Sequence, residues 1–275
     1  MNPNSSLSAD ELRHVSGSLK RAHMSDNLAT AVFYVVSGAF VLLLIAFTMY
    51  VVWGGIKAFR PEIFSFEANG IGNQFFNTVY LVFLSLVISV PIGIFAGVYM
   101  AEYAPEGRII HALRIAIETL SSLPSIVVGL FGYLVFIIMV GSQWNLFAGA
   151  LAVSVLSLPL ITATTYDALK ALPHGFKEGS LALGATHFET IWKVMLPAAI
   201  GPIVTGIILA AGRGFGEAAA LLYTAGMSTD ISWKVWDITS PVCPLNPFRP
   251  GETLSLQVWA SRTEGVGGSA ADTAG

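Results

Sequence analysis

The hydrophobic positions of this chain gather into five long runs, separated by links that hold most of the polar residues. The first run goes from Leu28 to about Gly55 and the second from Phe75 to Ala101, with Pro91 and Gly93 in its later half. The third opens at Leu123–Pro124 and ends near Val140; the fourth runs from Leu146 to Thr165 around Pro159, and the fifth from Pro197 to Ala225. A helix rises 1.5 Å per residue, so about 25 residues reach about 37 Å, enough to cross a hydrocarbon core of about 30 Å with some tilt. Pro124 suits a helix start, where its missing N–H costs nothing. Pro91 and Pro159 predict kinks. The pattern therefore predicts an all-α, polytopic membrane protein with five spans.

The links sharpen the topology. Gly141–Asn145 is short and uncharged, so the third and fourth spans should be antiparallel neighbours. Residues 1–27 read as a solvated tail or short surface helix, 57–72 and 102–118 as polar links, and 166–196 as a long polar link. Residues 227–275 are polar, rich in Pro and Gly, and hold no apolar run near 18 residues. Five spans leave the two ends on opposite faces. With the N-terminus inside, the inner segments carry Arg13, Lys20, Arg21, Arg108, Arg114, Lys170, Lys177 and Lys193. The outer ones carry only Lys57, Arg60, Lys234, Arg249 and Arg262. That bias favours a cytoplasmic N-terminus and puts the 166–196 link in the cytoplasm.

Composition agrees. The chain of 275 residues is 54% hydrophobic and 11% charged, against about 25% charged in soluble domains. A single cysteine, Cys243, excludes an intrachain disulfide. The net charge of −3 argues neither for nor against nucleic acid. The five histidines lack metal-ligand spacing. No Walker A loop, G-x-S-x-G or H-E-x-x-H is present, so the chain neither hydrolyses ATP nor shows a nucleophile–base pair. GRGFG (212–216) is no dinucleotide loop, because it lies inside an apolar run with no strand before it. Trp233, Trp236 and Trp259 are most simply interfacial anchors.

Two features invite a functional reading. In the fifth run, Arg213 and Glu217 stand at i and i+4 on one predicted helical face. A charge at mid-span costs about 2.5–3.5 kcal/mol on insertion scales, and a translocation path is the leading reason to carry one. Arginine offers a planar fork of donors that matches phosphate oxygens, and Glu217 could hold it while the path is empty. The alternative is a pair that merely neutralises itself for burial. Gly201, Gly206, Gly212, Gly214 and Gly216 should thin this helix for a close neighbour.

In the 166–196 link, a helix ending at Gly184, a turn, and a second helix from about Thr186 would make a knob that a partner's groove can grip. Gly179, Ser180, Ala182 and Ala185 keep it slim, while Leu181, Leu183, Phe188, Ile191 and Trp192 supply apolar contacts. An interfacial helix lying on the bilayer is the plainer alternative. Here Glu178, Gly184, Leu196 and Pro197 stand at offsets 0, 6, 18 and 19. That spacing resembles the EAA signature of ABC-importer permeases, with Gly179 and Ser180 in the places of its two alanines.

Further strings are similar to the phosphate-importer permeases of PstA type: NTVYL (77–81), PIGIFAGVYMAEYA (91–104), PSIVVGLFG (124–132), ALGAT (182–186), GRGFGEAAAL (212–221) and PFRPGETL (247–254). The family commonly has Gly-Glu-Thr-Ala-Pro-Leu where this chain has Gly216 to Leu221, so no role passes to the missing threonine and proline. The resemblance implies a type I ABC-importer helical bundle over residues 28–226, with Glu178, Gly179, Ser180, Gly184, Leu196 and Pro197 in the ATPase-coupling loop. It implies a second, homologous permease chain, a dimer of ATP-binding subunits, an extracytoplasmic phosphate-binding protein, and no cofactor. It also implies a sixth span after the region matching 247–264, so the extracytoplasmic 227–275 segment is expected to be truncated. The expected function is phosphate import across the cell membrane by alternating access. Another oxyanion (sulfate, molybdate, phosphonate) or a scaffold relaying phosphate status are the alternatives.

Overall fold

A computed structural model describes the backbone of residues 9–59, 64–66, 70–105 and 107–263, and side chains from residue 23 onward except Ala58. Among them there is no strand. Three helices are long and apolar enough to cross a membrane, or up to five if each of two sharply bent helix pairs counts as one span.

Residues 1–59 form a unit of their own. Helix α1 (Ala9–Ala58) runs unbroken for 50 residues, so the polar stretch expected as a tail continues directly into the first span from Ala9 onward. Residues 1–8 lie outside the described residues. From Phe33 to Trp53 its large apolar side chains face outward, as they would toward lipid.

The second unit, residues 60–275, is built around an α2–α5 pair. Helix α2 (Gly72–Val98) passes through Pro91 without ending and loosens into a π-helical turn at Tyr99–Tyr103. Helix α5 (Leu146–Lys170) starts at Asn145, whose Oδ1 accepts from the Ala148 N–H at 2.7 Å, and continues five residues past its expected end. The two helices meet on a Gly-x-x-x-Gly edge. A Cβ on Gly93 would lie 2.7 Å from Ile161, and one on Gly97 2.6 Å from Thr165, so only glycine permits this approach. The Ser154 hydroxyl adds a hydrogen bond to the Ser85 carbonyl across the same seam, at 3.0 Å.

Much of the expected link 102–118 is instead helical. Helix α3 (Arg108–Ser122) is strongly one-sided, with Ile109, Ile110, Leu113, Ile117 and Leu120 at helical spacing, although its average composition is polar. It turns by 97° into the third span, α4 (Ser125–Gly132) with its extension Tyr133–Met139. The corner is Leu123–Pro124, where proline forces its predecessor into extended backbone. Val128 of α4 packs on Ala152 and Leu156 of α5, as expected of antiparallel neighbours.

Beyond α5 the chain breaks repeatedly: α6 (His174–Ala182), α7 (His187–Thr190), a π-helical turn Ile191–Met195, α8 (Leu196–Ala198), α9 (Ile200–Gly216), α10 (Ala219–Thr224) and α11 (Leu254–Thr263). The fifth span, expected as one helix, bends by 67° before Ile200 and stops again at Glu217.

Candidate functional site

The loop read as a coupling element is a helical hairpin. Gly184 closes α6 at φ +86°, a conformation that other residues rarely adopt. Thr186 then opens α7 with a reciprocal cap: its hydroxyl accepts from the Glu189 N–H at 3.2 Å, and the Glu189 carboxylate accepts from the Thr186 N–H at 3.1 Å. Ser180 and Thr190 hydroxyls meet at 2.9 Å and tie the two arms together. Leu183 at the tip is 91% exposed; Phe176 of α6 and Phe188 of α7 are also exposed, with open space before Gly179. Glu178, Gly179 and Gly184 thus lie on the exposed outer face, whereas Ser180 is turned inward and Leu196 packs against the base. Pro197 is exposed in the first turn of α8.

That base is an apolar cluster joining the arm (Ile191, Met195, Ala199) to the ends of α2 (Val98, Ala101) and α5 (Ala168, Leu169). Beside it the carboxylate of Glu102 is 6% exposed and contacts Lys177 Nζ at 2.5 Å and His187 Nε2 at 3.4 Å. His187 also stands edge-on to the Tyr103 ring, 5.1 Å between centroids. Glu102 was legible only as a member of a polar link.

The second expected site changes shape. Arg213 lies exposed in the last turn of α9, and no described residue bonds or pairs with it. Glu217 is not on that helix: its backbone is extended (φ −75°, ψ 122°) and its side chain is buried. Its Oε1 accepts from the Ala220 N–H at 3.1 Å and so caps α10. The i,i+4 pair is therefore absent. Glycines at 212, 214 and 216 weaken the final turn of α9, and the carboxylate gains more from the orphan N–H of the next helix. The expected close packing of the α9 glycines holds within this chain at Gly206, against Thr164, and at Gly214, against Val82; Gly201, Gly212 and Gly216 face open space.

The polar segment after residue 226 is a folded cap, which sequence reasoning missed. Arg249 is 1% exposed. Its guanidinium donates to Asn77 Oδ1 (2.6 Å) and to the carbonyls of Cys243 (3.0 Å), Pro244 (3.1 Å) and Pro250 (3.2 Å). Burial pulls its pKa down to about 10. Asn77 donates in turn to the Glu252 carbonyl at 2.9 Å, and Gln74 to its carboxylate at 3.2 Å; burial raises the Glu252 pKa. Trp233, expected as an interfacial anchor, is part-buried in this cap. It donates to Asn73 Oδ1 at 3.0 Å and packs edge-on against Phe66 and Phe76. The string PFRPGETL carries this cap, yet neither hydropathy nor periodicity marks its arginine as buried.

Residues 89–239, which hold the arm, the bend and the α9–α10 break, match the family of binding-protein-dependent transport system inner membrane components. The chain belongs to that family. It is 40% identical over 250 residues to a probable ABC transporter permease protein, YqgI, of Bacillus subtilis, covering 88% of this chain and 85% of that one. It is 34% identical over 197 residues to the phosphate transport system permease protein PstA of Xylella fastidiosa (70% and 69% covered). PstA of Haemophilus influenzae is 32% identical over 222 residues (78% of each). In fold the permease resembles a chain of the inward-facing MetNI methionine ABC transporter, with a TM-score of 0.53 at 18% identity over 78% of this chain and 89% of that one. The permease is thus an inner-membrane subunit of an ABC importer. It works with a second permease, ATP-binding subunits and a substrate-binding protein, and it is not itself an enzyme, since ATP is hydrolysed in a separate subunit.

Proposed function

We propose that this permease carries inorganic phosphate, with its N-terminus and the 174–192 arm in the cytoplasm. The observation that carries the substrate is the likeness to PstA proteins, over 70% and 78% of this chain. In the mechanism, the ATP-binding subunits grip Leu183, Phe188 and the open face at Glu178 and Gly179. Their closure moves the arm as a lever, and the apolar cluster at its base passes the motion to α9. Arg213 then meets the anion from one side of the membrane and afterwards from the other. Among the described residues its guanidinium has no partner, so an incoming oxyanion need not displace a carboxylate seen there. Glu217 acts by capping α10, which fixes the break that follows Arg213.

The test is labelled-phosphate uptake by the whole transporter, with sulfate, molybdate and a phosphonate as competitors. Phosphate uptake resisting the other three supports the reading. Efficient competition by any of them reassigns the substrate. Arg213→Ala is expected to lower uptake by about a hundredfold, equivalent to loss of a charge-assisted contact of about 3 kcal/mol. Normal uptake by an assembled Arg213→Ala complex removes Arg213 from the path.

A further inference from the structure

We infer that Glu102 is the positioning residue through which the coupling arm pulls on α2. The inference rests on the proposal that the arm docks on the ATP-binding subunits. Three observations carry it. The carboxylate sits at the very end of α2's helical run, in the π-helical turn Tyr99–Tyr103, and is nearly inaccessible. It is approached by both limbs of the hairpin, Lys177 of α6 at 2.5 Å and His187 of α7 at 3.4 Å, while Tyr103 beside it backs the His187 ring. No other described ion pair joins the arm to α2 or α5; Lys193–Glu189 links α7 to the π-helical turn that directly follows it.

The apolar cluster at the base passes motion to α9 through Ile203, but its dispersion contacts are not directional and do not set where the arm sits along α2. The buried Glu102 carboxylate cannot part from its half-exposed partners without being left as an unpaired buried charge. Glu102 therefore fixes where the hairpin sits on α2 and makes α2 follow its displacement. The other end of α2 is gripped as well, by Asn77 on Arg249 and on the Glu252 carbonyl. From Asn77 to Glu102 is about 37 Å of helix at 1.5 Å per residue. A pull delivered at Glu102 is thereby carried to the cap.

The experiment uses the complete transporter in vesicles, with labelled inorganic phosphate as the probe. Two quantities are measured: phosphate moved per ATP hydrolysed, and retention of the ATP-binding subunits on purification. Glu102→Gln is expected to keep the subunits bound while lowering phosphate moved per ATP by about tenfold, within the usual range of coupling effects. Glu102→Lys and Lys177→Glu alone should lose coupling in the same way, and the double reversal should regain part of it. Regain by reversal is not expected of a merely structural carboxylate. An unchanged ratio in Glu102→Gln, or a double reversal no better than either single one, overturns the inference. Should the reversals fail to assemble, Lys177→Gln with His187→Gln removes both partners and leaves Glu102 in place; a normal ratio there also overturns it. Leu183→Asp separates the two proposals. If it releases the subunits while Glu102→Gln still transports normally, only Glu102 is misassigned. If it leaves binding and transport intact, the docking reading itself fails.

Discussion

Arg249 shows how much one residue can hold when its environment is built for it. Its guanidinium satisfies one side-chain oxygen and three carbonyls, of which that of Cys243 also accepts from the Asn246 N–H. Replacement by leucine strands the Asn77 oxygen and the Pro244 and Pro250 carbonyls in a water-poor site. Arg249→Leu is expected to destabilise the cap by about 3 kcal/mol or more, read as early thermal unfolding in detergent. Glu252 gives a pH-dependent companion. Burial raises its pKa above the ordinary 4.5, so its neutral form suits the fold and its ionised form does not. Stability from this group is present at acid pH and is lost as pH climbs from the ordinary value through the raised one. Glu252→Gln never ionises, so its melting temperature should gain on the parent's as pH rises above the ordinary 4.5 through the raised value. A constant difference across that range would contradict the assignment.

Among the elements, the hairpin was the most legible. Small residues and a glycine are local signals, and α6 closes at Gly184 and α7 opens at Thr186 where those signals predict, although the Thr186–Glu189 cap itself was not read from the sequence. Gly184→Asp should strain the turn by about 1–2 kcal/mol and set an acid beside the apolar tip. ATP hydrolysis should continue while transport falls; unchanged coupling would argue against docking at this tip. The α2–α5 seam makes a different demand. A valine at Gly97 has no room against Thr165, and overpacking of this kind costs about 1–3 kcal/mol. Gly97→Val is expected to reduce the yield of folded permease, measurable by size-exclusion profile. Helix α3 was hidden because an average over the link counts its charges and misses its stripe. The Arg213–Glu217 pair was misread for a related reason: i,i+4 geometry presumes an unbroken helix, and the helix ends at Gly216.

At the scale of the whole molecule, length and apolarity alone determined that this is an all-helical membrane protein, and the spacing of the coupling loop pointed to its transport class. These properties are local or additive: a run of apolar residues must leave water wherever it folds, and a capped turn forms from neighbours in sequence. What only the tertiary structure decided are the partnerships between residues far apart in the chain. Glu102 meets Lys177 and His187, Arg249 meets Asn77, and Glu217 abandons Arg213 for the start of α10. Each depends on where a polar group finds a donor or acceptor once water is excluded, and no window along the sequence contains both halves of the choice between a near neighbour and a distant one.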